Sequence, residues 1–392
     1  MVKNAIIWIF GLGIALVSGL TAAGAITKNT APELAVSLHP ANGFASETLA
    51  SNSLKVAVAA NGGLFPDSVD PAAVTFAKQA FRSEPITPEA IGVFALANTE
   101  GNKREIMREA FALSRRQQLV TGWMILDAGS REDIPAILSY YDTMLRTSSS
   151  AASVVIPTIA GALSNTSFIE PFADLLAKGP PWARRFWETV AVTPGSIENA
   201  ARLRERLFTP NEENESYRDS SLINALVTSE RFEAADTLYQ MLAGDKNTRS
   251  PLHNGSFEHE PEYPPFDWQL FSNGEYGAAI TGGSLQLSAI PSSGGVFARQ
   301  LVKLPRAIFE ISVKSDAGIS DDATISIEIK CAEKLATTPQ PIRISLTGTL
   351  TARQISNEQS ECRFYWLELV GRSAERGGGF DVNLDSIALR LK

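Results

Sequence analysis

The residues equipped for chemistry in this chain gather in its last third. Four aromatics there, Trp268, Tyr276, Tyr365 and Trp366, are candidates to stack an exposed ring on the apolar face of a pyranose while nearby Asp, Asn or Arg side chains read its hydroxyls. The competing reading is packing, because aromatic rings in a small β-domain mostly fill its core. Trp268 follows Phe266 with strand alternation, so both rings would point inward. Tyr365 and Trp366 are neighbours and must point to opposite faces of a strand.

Other reactive groups are sparse. The histidines are His39, His253 and His259, and none sits in a His-x-x-x-His, His-Glu-x-x-His or Cys-His spacing. His253 and His259 flank a stretch carrying Glu258, Glu260 and Glu262. A glycosidase carboxylate pair is one reading of it, and a solvated acidic stretch is the other. No Gly-x-Ser-x-Gly elbow, Walker loop or Gly-x-Gly-x-x-Gly fingerprint is present. The expectation is therefore a protein that is not an enzyme.

The N-terminus sets the compartment. Behind Lys3, residues 5–26 run without a charge, 22 residues in all, which is enough to span a bilayer as a helix. The cation before it favours export of everything after residue 28. Ala23-Gly24-Ala25 also fits a signal-peptide cleavage site, so residues 1–28 read as a signal anchor or a signal peptide. No second long apolar run follows, which makes a single-pass protein the expectation. In an oxidising compartment Cys331 and Cys362 would pair, against the alternative of two separate buried thiols. The formal net charge is −8 with no Lys/Arg block, so nucleic acid is not an expected partner. Basic pairs in Ser114–Gln118 and Trp182–Arg185 read either as an anionic-polymer site or as side chains closing helix ends.

Two kinds of periodicity organise the rest. Residues 29–250 read as helix. In the stretch 131–145, Ile134, Ile137, Leu138, Tyr141 and Leu145 follow a helical stripe. Ser130 is its expected N-cap, with Pro135 in the first turn. Helices are also expected over 71–81, 88–98, 103–116, 119–128 and 231–243, with Gly129 ending the one before 131. Ala136 and Ala234 lie 98 positions apart, about three periods of a paired-helix repeat. Residues 209–221 read as a polar loop and 244–252 as a linker. Residues 251–392 then switch to period two: Leu285, Leu287 and Ala289; Phe309, Ile311 and Val313; Ile325, Ile327 and Ile329; Ile342, Ile344 and Leu346; Phe380, Val382 and Leu384; Ile387, Leu389 and Leu391. Roughly eight short strands separated by Gly and Pro turns predict an antiparallel β-sandwich, specifically a jelly roll.

Trp123, Ala136, Tyr140 and Leu145 resemble the tetratricopeptide repeat, in which an aromatic marks the first helix and a small residue lets the second pack closely. The alternative is an irregular helical bundle. Asn254-Gly255-Ser256-Phe257-Glu258 at the start of the β-region, with Asp385 and Leu389 near its end, resembles the galactose-binding-like jelly rolls of carbohydrate-binding modules. That resemblance implies a structural calcium held by Glu258 and Asp385, consistent with the oxygen donors a hard cation takes. The parity break between Leu384 and Ile387 predicts a bulge that would aim Asp385 at the ion.

The order of anchor, helical repeats and jelly roll resembles a set of bacterial envelope proteins. The resemblance implies a scaffold in the inner membrane with its bulk in the periplasm. Its repeats would dock envelope or polysaccharide-export proteins, and its β-domain would touch an exopolysaccharide or cell-wall glycan. A pure protein-interaction scaffold with a structural sandwich and a glycan-active enzyme are the alternatives.

Overall fold

The computed structural model describes residues 2–98, 101–209, 216–244, 250–318, 323–375 and 378–392. Helix α1 (Val2–Thr27) is followed by α2 (Pro32–Leu38), α3 (Gly43–Ala60), α4 (Pro71–Ser83), α5 (Pro88–Ala97), α6 (Lys103–Leu113), α7 (Gln118–Ser130) and α8 (Ile134–Thr147). Then come α9 (Ala152–Ala162), α10 (Ile169–Leu176), α11 (Ala183–Val190), α12 (Ile197–Arg206), α13 (Ser216–Thr228) and α14 (Phe232–Ala243). The chain divides into two compact units, Met1–Ile159 with Glu170–Arg184, and Ala160–Ile169 with Arg185–Lys392. The second unit thus holds α12, α13 and α14 together with the strands.

α1 is long and apolar enough to cross a membrane, with a mean hydropathy of 2.0 over Trp8–Thr27, and its side chains from Trp8 to Val17 are exposed. The pair Ala152–Ala162 and Thr166–Leu176 passes the same test only if joined as one span bent by 114°. Ile156, Ile159, Phe172 and Leu176 of that pair are buried within protein, as core helices require.

In the first unit, α3 to α7 pack through small side chains. Ala73, Ala77, Ala80, Ala90 and Ala110 are buried together with Leu54, Val93, Met107 and Val120. The N-cap expected for the stretch 131–145 is corrected, and its proline is where it was expected. The N-cap of α8 is Asp133, whose Oδ1 accepts from Ala136 N at 3.1 Å, and not Ser130. α7 runs on through Gly129 to Ser130, and Glu132 (φ 56°) makes the reversal, so the cap falls where the new helix starts. Pro135 sits in the first turn of α8, where its missing N–H costs nothing. α5 is capped from outside its own sequence: Glu47 Oε1 on α3 accepts from Glu89 N (2.8 Å) and Ala90 N (3.4 Å).

In the second unit, Arg204 on α12 grips the buried Asp219 on α13 through two bonds of 2.7 and 2.9 Å. That places Ser216–Ser221 in a helix and corrects the expected loop. A polar, acidic composition misleads there because the carboxylate is paired. Residues 210–215 of that expected loop, and residues 245–249 of the expected linker, lie outside the described residues. Arg184 and Arg185 open α11 rather than close a helix, so they cannot cap carbonyls at its C-terminus.

The C-terminal region is a β-sandwich of ten antiparallel strands among the described residues. One sheet has the order β1 (Gln269–Leu270), β4 (Gly294–Lys303), β9 (Phe364–Ser373), β6 (Ala323–Cys331), β7 (Ile342–Ser345). The other has the order β2 (Tyr276–Thr281), β3 (Ser284–Ala289), β10 (Phe380–Leu391), β5 (Ile308–Ser315), β8 (Leu350–Ser356). The two apolar triplets after Phe380 form a single strand, and its register shifts between Leu384 and Ser386. The parity break in the sequence was therefore a bulge. Between the sheets lie Phe257, Trp268, Phe297, Phe309, Ile327 and Leu367. Cys331 and Cys362 form a disulfide that ties the end of β6 to the entry of β9.

Candidate functional site

Alternation along β4, β9, β6 and β7 sends Val302, Leu367, Ile327 and Ile344 into the core and the intervening side chains to the outer face of the sheet. The register then lines up one polar side chain from each of its five strands. Gln269 lies opposite Arg299, Arg299 opposite Glu368, Glu368 opposite Glu328, and Glu328 opposite Arg343. In the adjacent row Trp366 stands between Leu301 and Lys330.

The row is tied unevenly. Arg299 Nε donates to Gln269 Oε1 at 2.8 Å. Its guanidinium lies 4.4 Å from the centre of the Trp366 ring and 5.4 Å from that of Phe271, a cation–π arrangement. Lys330 Nζ reaches Glu368 Oε2 at 2.8 Å and Glu328 Oε2 at 2.6 Å, and Arg343 closes on Glu328 from the far side. The Lys330 hydrogen bond, aided by Arg343, holds the Glu328 carboxyl below the usual carboxylate range. Its two carboxylates raise Lys330 in turn. Burial pulls the Arg299 guanidinium below its ordinary value, with Glu368 acting against that.

Of the four aromatics singled out from sequence, Trp366 alone stands on this face. Trp268 is fully buried, its Nε1 donating to Asn254 O at 3.1 Å, and its ring lies against Phe257. It has no free face to offer a sugar, which corrects the expectation. Phe266 is buried as its alternation with Trp268 implies, but it stacks on Tyr239 of α14. Tyr365 is also core, its hydroxyl held by Ser360 and by Asn357 Oδ1 at 2.6 Å. Tyr276 belongs to the other sheet and is half-buried against Phe297, with ring centres 5.0 Å apart. It is not brought near Trp366 by strand pairing.

Glu258 and Asp385 are both exposed, and Asp385 sits at the bulge as expected. Neither belongs to a group of three or more ligating side chains. Among the described residues the one such group is Cys331, Glu333 and Cys362, whose sulfurs are spent in the disulfide. Two exposed carboxylates fall short of the six to eight oxygens that calcium takes, so the side chains alone do not make the site.

A cleft of about 560 Å³ gathers Glu258, Glu260, Glu262 and Asp267 beside Tyr239 and Tyr263. Both rings are buried, and Tyr239 is taken up by Phe266. Asp267 accepts from the backbone N–H groups of Glu262 (3.0 Å) and Tyr263 (2.9 Å). The cleft therefore has no sugar-stacking surface, and Asp267 serves the turn.

Arg299, Gln269, Phe271 and Glu368 were not found from sequence. The signal was masked because β4 breaks the period-two pattern twice. A register shift falls between Val296 and Ala298. Further on, Gln300 is buried clamping the backbone of His253 (2.8 and 2.9 Å) while Leu301 is buried on the outer side.

No protein-family model matches the sequence, and no curated protein matches it. Several solved structures are similar over the C-terminal sheet region. TmCBM61, solved in complex with β-1,4-galactotriose, is 15% identical and covers 37% of this chain and 100% of its own, at a TM-score of 0.26. The CBM22-1 xylan-binding domain from Paenibacillus barcinonensis Xyn10C is 17% identical over 35% of this chain and 91% of its own, at a TM-score of 0.24. A CBM4 structure is 15% identical over 36% and 99%, at 0.27. A likeness of this size carries no ligand with it.

Proposed function

We propose that this chain is an exported, membrane-anchored envelope protein that binds a glycan without acting on it. The outer face around Arg299 and Trp366 would be its contact surface. The observation that carries this reading is the Arg299 guanidinium over the Trp366 indole, 4.4 Å from the ring centre, beside Gln269 and Glu368. It combines a planar aromatic with fixed donors and acceptors, which is what recognition of a sugar ring and its hydroxyls requires. Export is supported by the uncharged run of residues 5–26 behind Lys3, carried on α1, and by the disulfide, which persists in oxidising compartments. The bacterial inner membrane, with the bulk of the chain in the periplasm, fits both.

The helical part would act as a tetratricopeptide-like scaffold. Gln118, Ala152, Ala183 and Ser216 open alternate helices at steps of 34, 31 and 33 residues, within the range of paired-helix repeats. Its partners would be proteins of polysaccharide assembly or export. A non-catalytic role suits the carboxylates of the outer face. A glycosidase acid is kept protonated by a raised pKa, whereas Glu328 is pushed the other way.

The test is a glycan-array screen of the full-length protein in detergent, with and without calcium, beside Trp366→Ala. Binding by the wild type that disappears in a folded Trp366→Ala protein supports the reading. A blank array in both calcium conditions sinks it and leaves the sandwich as a structural part of a protein-docking scaffold.

A further inference from the structure

We infer that this face selects glycans bearing carboxylates, that is, uronate-containing polysaccharides. The inference rests on the glycan-contact reading above and specifies its ligand.

One charge is left over on this face. Lys330 and Arg343 are matched by Glu328 and Glu368, two cations against two carboxylates. Arg299 is the surplus. It stands opposite Glu368 across β4 and β9, yet that carboxylate is drawn to Lys330 at 2.8 Å. No carboxylate lies within ion-pair distance of Arg299 among the described residues. Among the described residues its one hydrogen-bond partner is Gln269, which is neutral and occupies only Nε. The terminal N–H groups remain available on a guanidinium held between Phe271 and Trp366.

A half-buried cation without a counter-charge is costly. A ligand that brings one recovers more than a ligand that offers hydroxyls alone. A guanidinium held over two aromatic rings and anchored at Nε keeps its terminal nitrogens for a two-pronged bond to a carboxylate. In a uronate the carboxylate is borne by the sugar ring, so one residue would meet the arginine and the aromatic face together. The net charge of −8 does not oppose this, because charges beyond about 8 Å are screened at physiological ionic strength.

The experiment titrates full-length protein in detergent with oligogalacturonate, oligomannuronate and oligoglucuronate, each beside its carboxyl-reduced neutral counterpart of equal length. For at least one pair, the acidic member is expected to bind tenfold or more tightly and to weaken several-fold between 50 and 500 mM NaCl. Arg299→Gln should abolish the preference without shifting the melting temperature, and Arg299→Lys should keep a reduced preference of the same sign. Equal binding of acid and neutral partners by the wild type, or a preference that survives Arg299→Gln, overturns carboxylate selection while leaving glycan binding intact. Binding of none of the six probes, together with a blank array, overturns both.

Discussion

Glu132 and Glu230 lie 98 positions apart and hold the same left-handed backbone, φ 56° and 60°. Around each, the chain closes the same way: Asp133 N bonds to Ala128 O and Arg231 N to Leu226 O, both at five residues' separation. This is the Schellman ending, with glutamate where glycine is usual. Replacing either with glycine should remove a conformational penalty of about 1–2 kcal/mol, offset in part by the freer unfolded chain. The expected net is a gain of about 0.5 kcal/mol for Glu132→Gly or Glu230→Gly in denaturant unfolding. A loss in both would show that the glutamate side chains matter more than the backbone.

The disulfide closes a loop whose ends are 31 residues apart. On the chain-entropy relation its removal costs about 3–4 kcal/mol. Cys331→Ser with Cys362→Ser, or reduction of the wild type, should lower the unfolding midpoint of the sandwich and leave helical ellipticity nearly unchanged. A midpoint unmoved by reduction would contradict this.

Glu47 serves as the N-cap of α5 from another helix. Glu47→Ala should cost about 1–2 kcal/mol, as loss of an N-cap does. Glu47→Gln keeps a carbonyl acceptor and should recover most of that. Equal losses for the two variants would place the effect in packing instead.

His253 is buried against Tyr239, its Nδ1 without a hydrogen-bond partner among the described residues. Burial lowers its pKa from the ordinary 6.5, against the pull of Asp267 and Asp236. The unfolded chain therefore takes up this proton before the folded one does. Stability present above pH 6.5 should be lost as pH falls below it toward the lowered folded value. Urea midpoints at pH 7.5 and 5.5 should differ less for His253→Gln than for the wild type. An unchanged difference would assign the pH response to other groups.

Trp268→Ala and Trp366→Ala should separate cleanly. The first empties a fully buried site and should cost about 3–5 kcal/mol. The second should leave the melting temperature within about 2 °C, since surface substitutions stay near ±0.5 kcal/mol. A large loss of stability from Trp366→Ala would mean that its ring is structural.

The sequence alone determined what short-range pattern encodes. An uncharged run of 22 residues specified a helix fit to span a membrane. The 3.6-residue stripe at Ile134, Leu138 and Tyr141 specified helix, and the period-two triplets specified strands. The broken parity at Leu384 specified a bulge. Each of these signals is carried by residues close together in the chain, where backbone geometry translates directly into spacing. Tertiary structure alone decided which of the four aromatics reaches the outer face and which cation there has no paired carboxylate among the described residues. Residues 269, 299, 328, 343 and 368 meet because the strand order places β1, β4, β9, β6 and β7 side by side, and pairing over such distances leaves no local trace. The fate of Asp219 was hidden for the same reason: its partner Arg204 lies on another helix, so composition read as loop what an ion pair holds as helix.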